Sequence, residues 1–269
     1  MDAHPEGPPS TSAIRAAEFP KKRKGPTWKP IFKDRENTDC RCLNEPSMPD
    51  IDAQQLALGL TNYLVLLFSL SFHESAHAWM ALRLGDDTAA SLGRITLNPV
   101  PHIDLFGTVL MPLLQIFGGF PVIGWAKPTP YDPGRFRRDV SLQRGHISVA
   151  GVGPISNLIL ALVFSVLFFV ILRLDLEPGG LRDGLYSLMS VGIAMNVALA
   201  VFNILPVPPL DGSHILSWSL PREIGERFDH IAENYGMIIL WILFLSGLLG
   251  WLIGPIQRFV VLGIFDIIR

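Results

Sequence analysis

Leu64-Val65-Leu66-Leu67-Phe68-Ser69-Leu70-Ser71-Phe72-His73-Glu74-Ser75-Ala76-His77-Ala78-Trp79-Met80 is the stretch that decides how this chain folds. It lies inside an apolar run from about Ala53 to Leu84. A helix of about 20 apolar residues is long enough to cross a bilayer. Two histidines and a glutamate in such a helix are costly to bury in lipid, so ionisable groups there mark a functional site by default. The stretch therefore predicts a membrane helix that carries chemistry in its C-terminal half.

Working outward, the composition agrees. The chain has 269 residues, 49 % hydrophobic and 17 % charged, with a mean hydropathy of +0.36. Soluble domains carry roughly 25 % charged residues, so the deficit predicts an integral membrane protein. The net charge of −2 provides no global basic field for nucleic acid. Further apolar stretches run from Leu105 to Ile123, Ile147 to Leu172, Tyr186 to Leu205 and Met237 to Ile253. Gly107, Pro112, Gly118, Gly119 and Pro121 interrupt the first of these, and Gly254-Pro255 is expected to break the helix after the last. Ile256 to Ile268 would then be a short amphipathic or re-entrant tail. The fold expected is an all-α, polytopic bundle of about 4–5 transmembrane helices plus a re-entrant or membrane-surface segment. Residues 51–269 would form one membrane-embedded domain. Residues 1–50 are polar, Pro-rich and basic around Lys21-Lys22-Arg23-Lys24, lack the apolar core of a signal peptide, and read as a disordered tail. Cys40 and Cys42 lie in that tail without the four ligands of a zinc knuckle.

On a helix, residues i and i+4 share one face, so His73 and His77 can offer two imidazoles to one ion. H-E-x-x-H is the pattern of zinc-dependent peptide hydrolysis. Glu74, rotated by about 100° from His73, cannot join them as a ligand, but it can flank a metal-activated water and take its proton. A catalytic zinc usually keeps three protein ligands and one open position. Candidates for the third are His102, Asp104, His146, Asp211 and His214. Asp211 stands out because Pro206, Pro208 and Pro209 stop the preceding helix and Gly212 permits a tight turn, which together could project the carboxylate back toward the histidines. Asn157, in Gly153-Pro154-Ile155-Ser156-Asn157, is an amide about one turn into an apolar segment. It is expected to bind an oxyanion or substrate backbone, or to make a helix–helix hydrogen bond.

These three elements, in this order on separate apolar segments, resemble the site-2 protease family of intramembrane zinc metalloproteases. The matching residues are His73 to His77, Gly153 to Asn157, and Asn203 to Gly212. The resemblance implies one catalytic Zn2+ on His73, His77 and Asp211, Glu74 as general base, and Asn157 and Asn203 as substrate-binding residues that help position substrate or support the site. It implies hydrolysis of peptide bonds in a transmembrane protein substrate within the lipid bilayer, with no nucleic acid partner. The stretches Leu92 to Pro99, His102-Ile103-Asp104 and Gly124 to Pro128 resemble a compact bacterial subgroup without PDZ or CBS domains, which implies the bacterial inner (cell) membrane. Two other classes compete: a non-proteolytic membrane protein whose metal centre is closed by a fourth side chain such as His102 or His214, and a transporter, which would also use broken segments and polar groups at mid-membrane.

For the three motifs to meet at one depth, Asn157 at the start of its segment and Asp211 at the end of the next must lie on one side. That side carries the loop with Arg135, Arg137, Arg138 and Arg144, and the positive-inside rule makes it cytoplasmic. His73 lies late in the first segment, so that segment should run inward from outside, and Leu105 to Ile123 should not be a simple span. Cysteine labelling in intact cells checks this orientation: Cys40 is expected to react with a membrane-impermeant reagent from outside, and reaction from the cytoplasmic face alone would reverse it.

Overall fold

The computed structural model describes residues 53–118, 124–174 and 176–268. The expected tail of residues 1–50, with Cys40 and Cys42, lies outside the described residues. Among the described residues the fold is all-helical and contains no strand. Helix α1 spans Ala53–Leu84, and a short α2 follows at Thr88–Ser91. A π-helical segment, Leu105–Leu110, leads into α3, Met111–Gly118. Helix α4 is Leu142–Arg173, α5 Gly180–Asn203, α6 Asp211–Ser219, α7 Arg222–Leu245 and α8 Leu248–Ile268.

Among the described residues, four helices are long and apolar enough to cross a membrane: Leu56–Leu84, Leu142–Arg173, Gly180–Asn203 and Arg222–Leu245. The apolar helix beginning at Leu105 is shorter than these among the described residues, and residues 119–123 of the stretch Leu105 to Ile123 lie outside them. The expected break at Gly254-Pro255 is not there: α8 runs through Pro255. The chain turns instead at Gly247, whose φ of 73° lies in the left-handed region that glycine adopts without penalty. The stretch Met237–Ile253 is thereby divided between α7 and α8. Proline within a membrane helix is tolerated where surrounding groups satisfy the freed carbonyl.

Helix α4 is central, packing against α1, α5 and α6. Its buried stripe contains Gly153, Asn157, Leu160, Ala161, Phe164 and Phe168, whereas Leu158, Ile159, Leu162, Val163, Val166 and Val170 are exposed. The exposed residues are apolar, these buried ones are apolar apart from Asn157, and the two sets follow the helical period. An exposed aliphatic band of this length suits hydrocarbon rather than water. Against α5, Leu160, Phe164 and Phe168 pack with Met189 and Ile193. The approach is close because Gly192 faces the Phe164 ring; a Cβ there would stand 2.5 Å from it.

Two loops are tied to the end of α1. The buried Asp86 carboxylate accepts from Thr88 N at 3.0 Å and Asp132 N at 2.6 Å. The Ser75 hydroxyl lies 2.6 Å from Thr96 O and accepts from Thr96 N at 2.8 Å. Overpacking at the α4–α5 contact typically costs about 1–3 kcal/mol, so Gly192→Val should lower the thermal unfolding midpoint in detergent. An unchanged midpoint would show that the Phe164 ring moves aside freely.

Candidate metal centre

His73 and His77 stand one turn apart on α1, their ring centroids 4.6 Å apart and their Nε2 atoms separated by 3.0 Å. Gly153 of α4 provides the room: a Cβ there would lie 2.5 Å from His73 Cε1 and His77 Nε2. Asp211 completes the group, with Oδ2 3.1 Å from His73 Nε2 and Oδ1 3.5 Å from His77 Nε2. Among the described residues, His73, His77 and Asp211 are the cluster able to hold a metal ion, with ligand atoms all within 4.8 Å of one another.

Asp211 reaches this position because α5 stops at Asn203 and Pro206, Pro208 and Pro209 forbid its continuation. The chain reverses, and α6 begins with Asp211 in its first turn. Gly212 serves close approach here rather than an unusual φ, because any side chain at this position would collide with the Ile204 and Leu205 carbonyls.

The hydrogen bonds on the far side of each ring fix its tautomer. His77 Nδ1 lies 2.6 Å from Val149 O, which can only accept. His73 Nδ1 donates to Asn157 Oδ1 at 2.7 Å. Asn157 Nδ2 in turn donates to Asn196 Oδ1 at 3.0 Å, and Asn196 Nδ2 donates to Ser69 Oγ at 2.9 Å and Gly192 O at 2.8 Å. Ser69, Asn157 and Asn196 are all fully buried. With both Nδ1 atoms protonated, neutral rings present bare Nε2 lone pairs to each other and to a carboxylate. Asp211 Oδ2 is buried without a hydrogen-bond partner. Three electron-rich atoms converging without a proton among them call for a cation, and a set of two imidazoles and one carboxylate with an open position suits zinc.

The other candidate ligands are placed elsewhere. His102 is buried with Nε2 3.1 Å from Thr96 O. Asp104 caps the π-helical segment, accepting from Phe106 N and Gly107 N at 3.0 and 2.8 Å. His146 lies 2.9 Å from the Tyr131 hydroxyl and stacks on Trp218 at 3.9 Å. His214 lines the cavity beside the centre but does not join the ligand cluster.

That cavity has a volume of about 360 Å³ and is bounded by Glu74, Thr129, Tyr131, Phe202, Asn203 and His214 among others. Glu74 Oε2 accepts from Thr129 N at 2.9 Å and lies 2.8 Å from Thr129 Oγ1. Burial and the Asp211 carboxylate push the Tyr131 phenol upward, so it remains protonated at neutral pH. Asn203 lines the cavity while its amide donates to Leu199 O at 3.0 Å. Of the contacts expected for Asn157, the structure shows the helix–helix hydrogen bonds: its amide is taken up by His73 of α1 and Asn196 of α5.

Sequence reasoning did not single out Ser69, Asn196, Thr129 or Tyr131. For Asn196 a signal existed, since an amide within the apolar run Tyr186 to Leu205 needs a partner just as Asn157 does. Removing a partner that orients a metal-ligating histidine typically costs about 10–100-fold in metal affinity. Asn196→Leu is therefore expected to weaken zinc binding by that factor in chelator competition; an unchanged affinity would show that His73 is oriented without it.

The family model for Peptidase family M50 matches residues 180–244, which contain α5 and the Asp211 turn. YwhC of Bacillus subtilis (strain 168), named as a zinc metalloprotease, is 39 % identical over 201 residues, covering 74 % of this chain and 87 % of its own length. Rip2 of Mycobacterium tuberculosis (strain ATCC 25618 / H37Rv), also named as a zinc metalloprotease, is 31 % identical over 207 residues, covering 75 % and 71 % respectively. No solved structure matches the chain significantly. A relative of such identity and coverage, together with the family match on the segment that supplies Asp211, places the chain in peptidase family M50, the site-2 protease family: it is a zinc-dependent metalloprotease and an integral membrane protein.

Proposed function

We propose that this protein hydrolyses peptide bonds within membrane-anchored protein substrates, in the plane of the bilayer, using one Zn2+ held by His73, His77 and Asp211. The observation that carries this reading is the Glu74 carboxylate in a cavity beside a three-ligand centre whose fourth position no described side chain closes. A purely structural metal site would have closed it with a neighbour such as His102 or His214.

Bound zinc lowers the pKa of a water molecule toward neutrality and polarises a carbonyl oxygen. Glu74 accepts the proton of the attacking water and delivers it to the departing amine nitrogen as the C–N bond breaks. Asp211, half-buried and held as a carboxylate, balances charge in the site. Asn157 keeps His73 in the tautomer that exposes Nε2. Asn203, on the cavity wall, is positioned to meet the substrate backbone through its free carbonyl oxygen. A substrate helix must unwind locally, because a helical carbonyl is already hydrogen-bonded within its own chain. The four membrane-length helices around the site support entry from lipid.

The same reading places the protein in the bacterial cell membrane with its site toward the cytoplasm. Support comes from Arg135, Arg137 and Arg138 in the segment that leads into α4, and Arg144 in the first turn of α4, on the side where α5 ends.

Glu74→Gln is expected to reduce cleavage by about 10²–10⁴-fold while retaining zinc. Cleavage of co-expressed, epitope-tagged single-span membrane proteins and the metal content of the purified protein measure the two effects. Cleavage by this variant at the wild-type rate would remove Glu74 as the base.

A further inference from the structure

Residues 124–132 are non-helical and run beside the cavity as a strap containing Lys127-Pro128-Thr129-Pro130-Tyr131. Pro128 and Pro130 fix their own φ and carry no N–H. Each also biases the residue before it, Lys127 and Thr129, toward extended backbone. Thr129 N–H is thus the single backbone donor within 128–130, and it is given to Glu74 Oε2 at 2.9 Å. The Thr129 hydroxyl adds a second approach to the same oxygen at 2.8 Å and lies 3.0 Å from the Glu74 backbone carbonyl.

The strap is fixed on both sides of this contact. Lys127 N donates to His102 O at 2.9 Å and Trp125 N to Gly107 O at 3.3 Å. Beyond it, Asp132 N donates to the buried Asp86 carboxylate at 2.6 Å. Gly107 makes the first side possible, since a Cβ there would stand 2.5 Å from Trp125. Thr129 is therefore held from the His102 and Gly107 segment in front and from the end of α1 behind.

We infer that Thr129 is the positioning residue for the catalytic base. The Thr129 N–H on Oε2, with the hydroxyl proton shared between Oε2 and the Glu74 carbonyl, holds the Glu74 carboxylate in one orientation and leaves Oε1 as the oxygen that takes and returns the proton. The inference rests on the reading of Glu74 as general base, although the contact itself does not. Val replaces Thr with nearly the same shape and no hydroxyl, leaving only the backbone donor. Ser retains the hydroxyl without the methyl group.

The test uses the full-length, zinc-loaded protein in lipid, with a synthetic single-span peptide reporter. Thr129→Val should lower kcat by about 10- to 100-fold, the scale of a small misplacement of a reacting group. KM, zinc stoichiometry and thermal midpoint should stay unchanged, and Thr129→Ser should recover activity to within about threefold of wild type. A Thr129→Val kcat within about twofold of wild type, or a Thr129→Ser variant as impaired as Thr129→Val, would overturn the inference. So would a loss accompanied by a matching loss of zinc or of thermal stability. The infrared carboxylate band of Glu74, isolated by subtracting the Glu74→Gln spectrum, provides an arm that needs no turnover. It should shift in Thr129→Val and return in Thr129→Ser. If wild type cleaved no reporter, the proposed function would fail on that evidence alone, and an unshifted band in Thr129→Val would overturn the positioning role separately.

Discussion

His73 Nε2 and His77 Nε2 face each other at 3.0 Å, and the Asp211 carboxylate lies 3.1 Å from the first. All three are pressed together inside an apolar bundle. In hydrocarbon or packed protein, such an arrangement is unfavourable unless a cation neutralises it or every remaining polar group has a partner. Much of the architecture follows from that requirement. Gly153 gives the rings space, Val149 O and Asn157 fix their tautomers, and the proline-rich reversal after α5 returns Asp211 to the centre. The buried amides are the membrane counterpart of the partners that orient metal ligands in soluble enzymes. Here they come from helices far apart in sequence, so the metal centre and the bundle specify each other.

The directional order of that amide chain is a consequence of the same constraint. A His73 ring that turns Nε2 toward a metal must carry its proton on Nδ1. Asn157 must then show it an oxygen, so its NH2 faces Asn196, which must show an oxygen in turn and direct its own NH2 to Ser69 and Gly192. No amide in the row can be reversed without placing two donors or two acceptors face to face. Burial without water raises the cost of any such error. The chain ends on a serine hydroxyl and a backbone carbonyl, both able to accept.

How much of this was legible in the sequence depends on the range of the interaction. His73, Glu74 and His77 were readable because the i, i+4 geometry is local. Asp211 was readable because prolines and a glycine act on their own backbone, although Gly212 proved to serve close packing rather than an unusual turn. The first helix was readable end to end, since an apolar run in lipid has few alternatives to helix. What failed was reading Gly254-Pro255 as a stop: proline propensity was allowed to decide where packing and Gly247 decide instead. Asn157 was recognised as an amide needing a partner, but its partner depends on how α1, α4 and α5 assemble. Asn196 and Thr129 were missed for the same reason, since neither contact is visible until distant segments are brought together.

The centre also divides its labour between two kinds of scaffold. The ligands proposed for zinc come from α1 and the first turn of α6, braced by the α4 and α5 amides, all regular helix within the bundle. The proposed base belongs to α1 as well, but its carboxylate is held by an irregular strap that contains two prolines. A helix fixes where Glu74 begins, and its long side chain leaves the carboxylate several rotamers from that starting point. Only a group from outside the helix can select among them without occupying the metal side. On the proposed mechanism, metal affinity and proton transfer rest on separate contacts, Asn157 and Asn196 for one and Thr129 for the other. Changes in the strap can alter catalysis while the ligands remain in place, whereas changes in the amide row act on the ligands first.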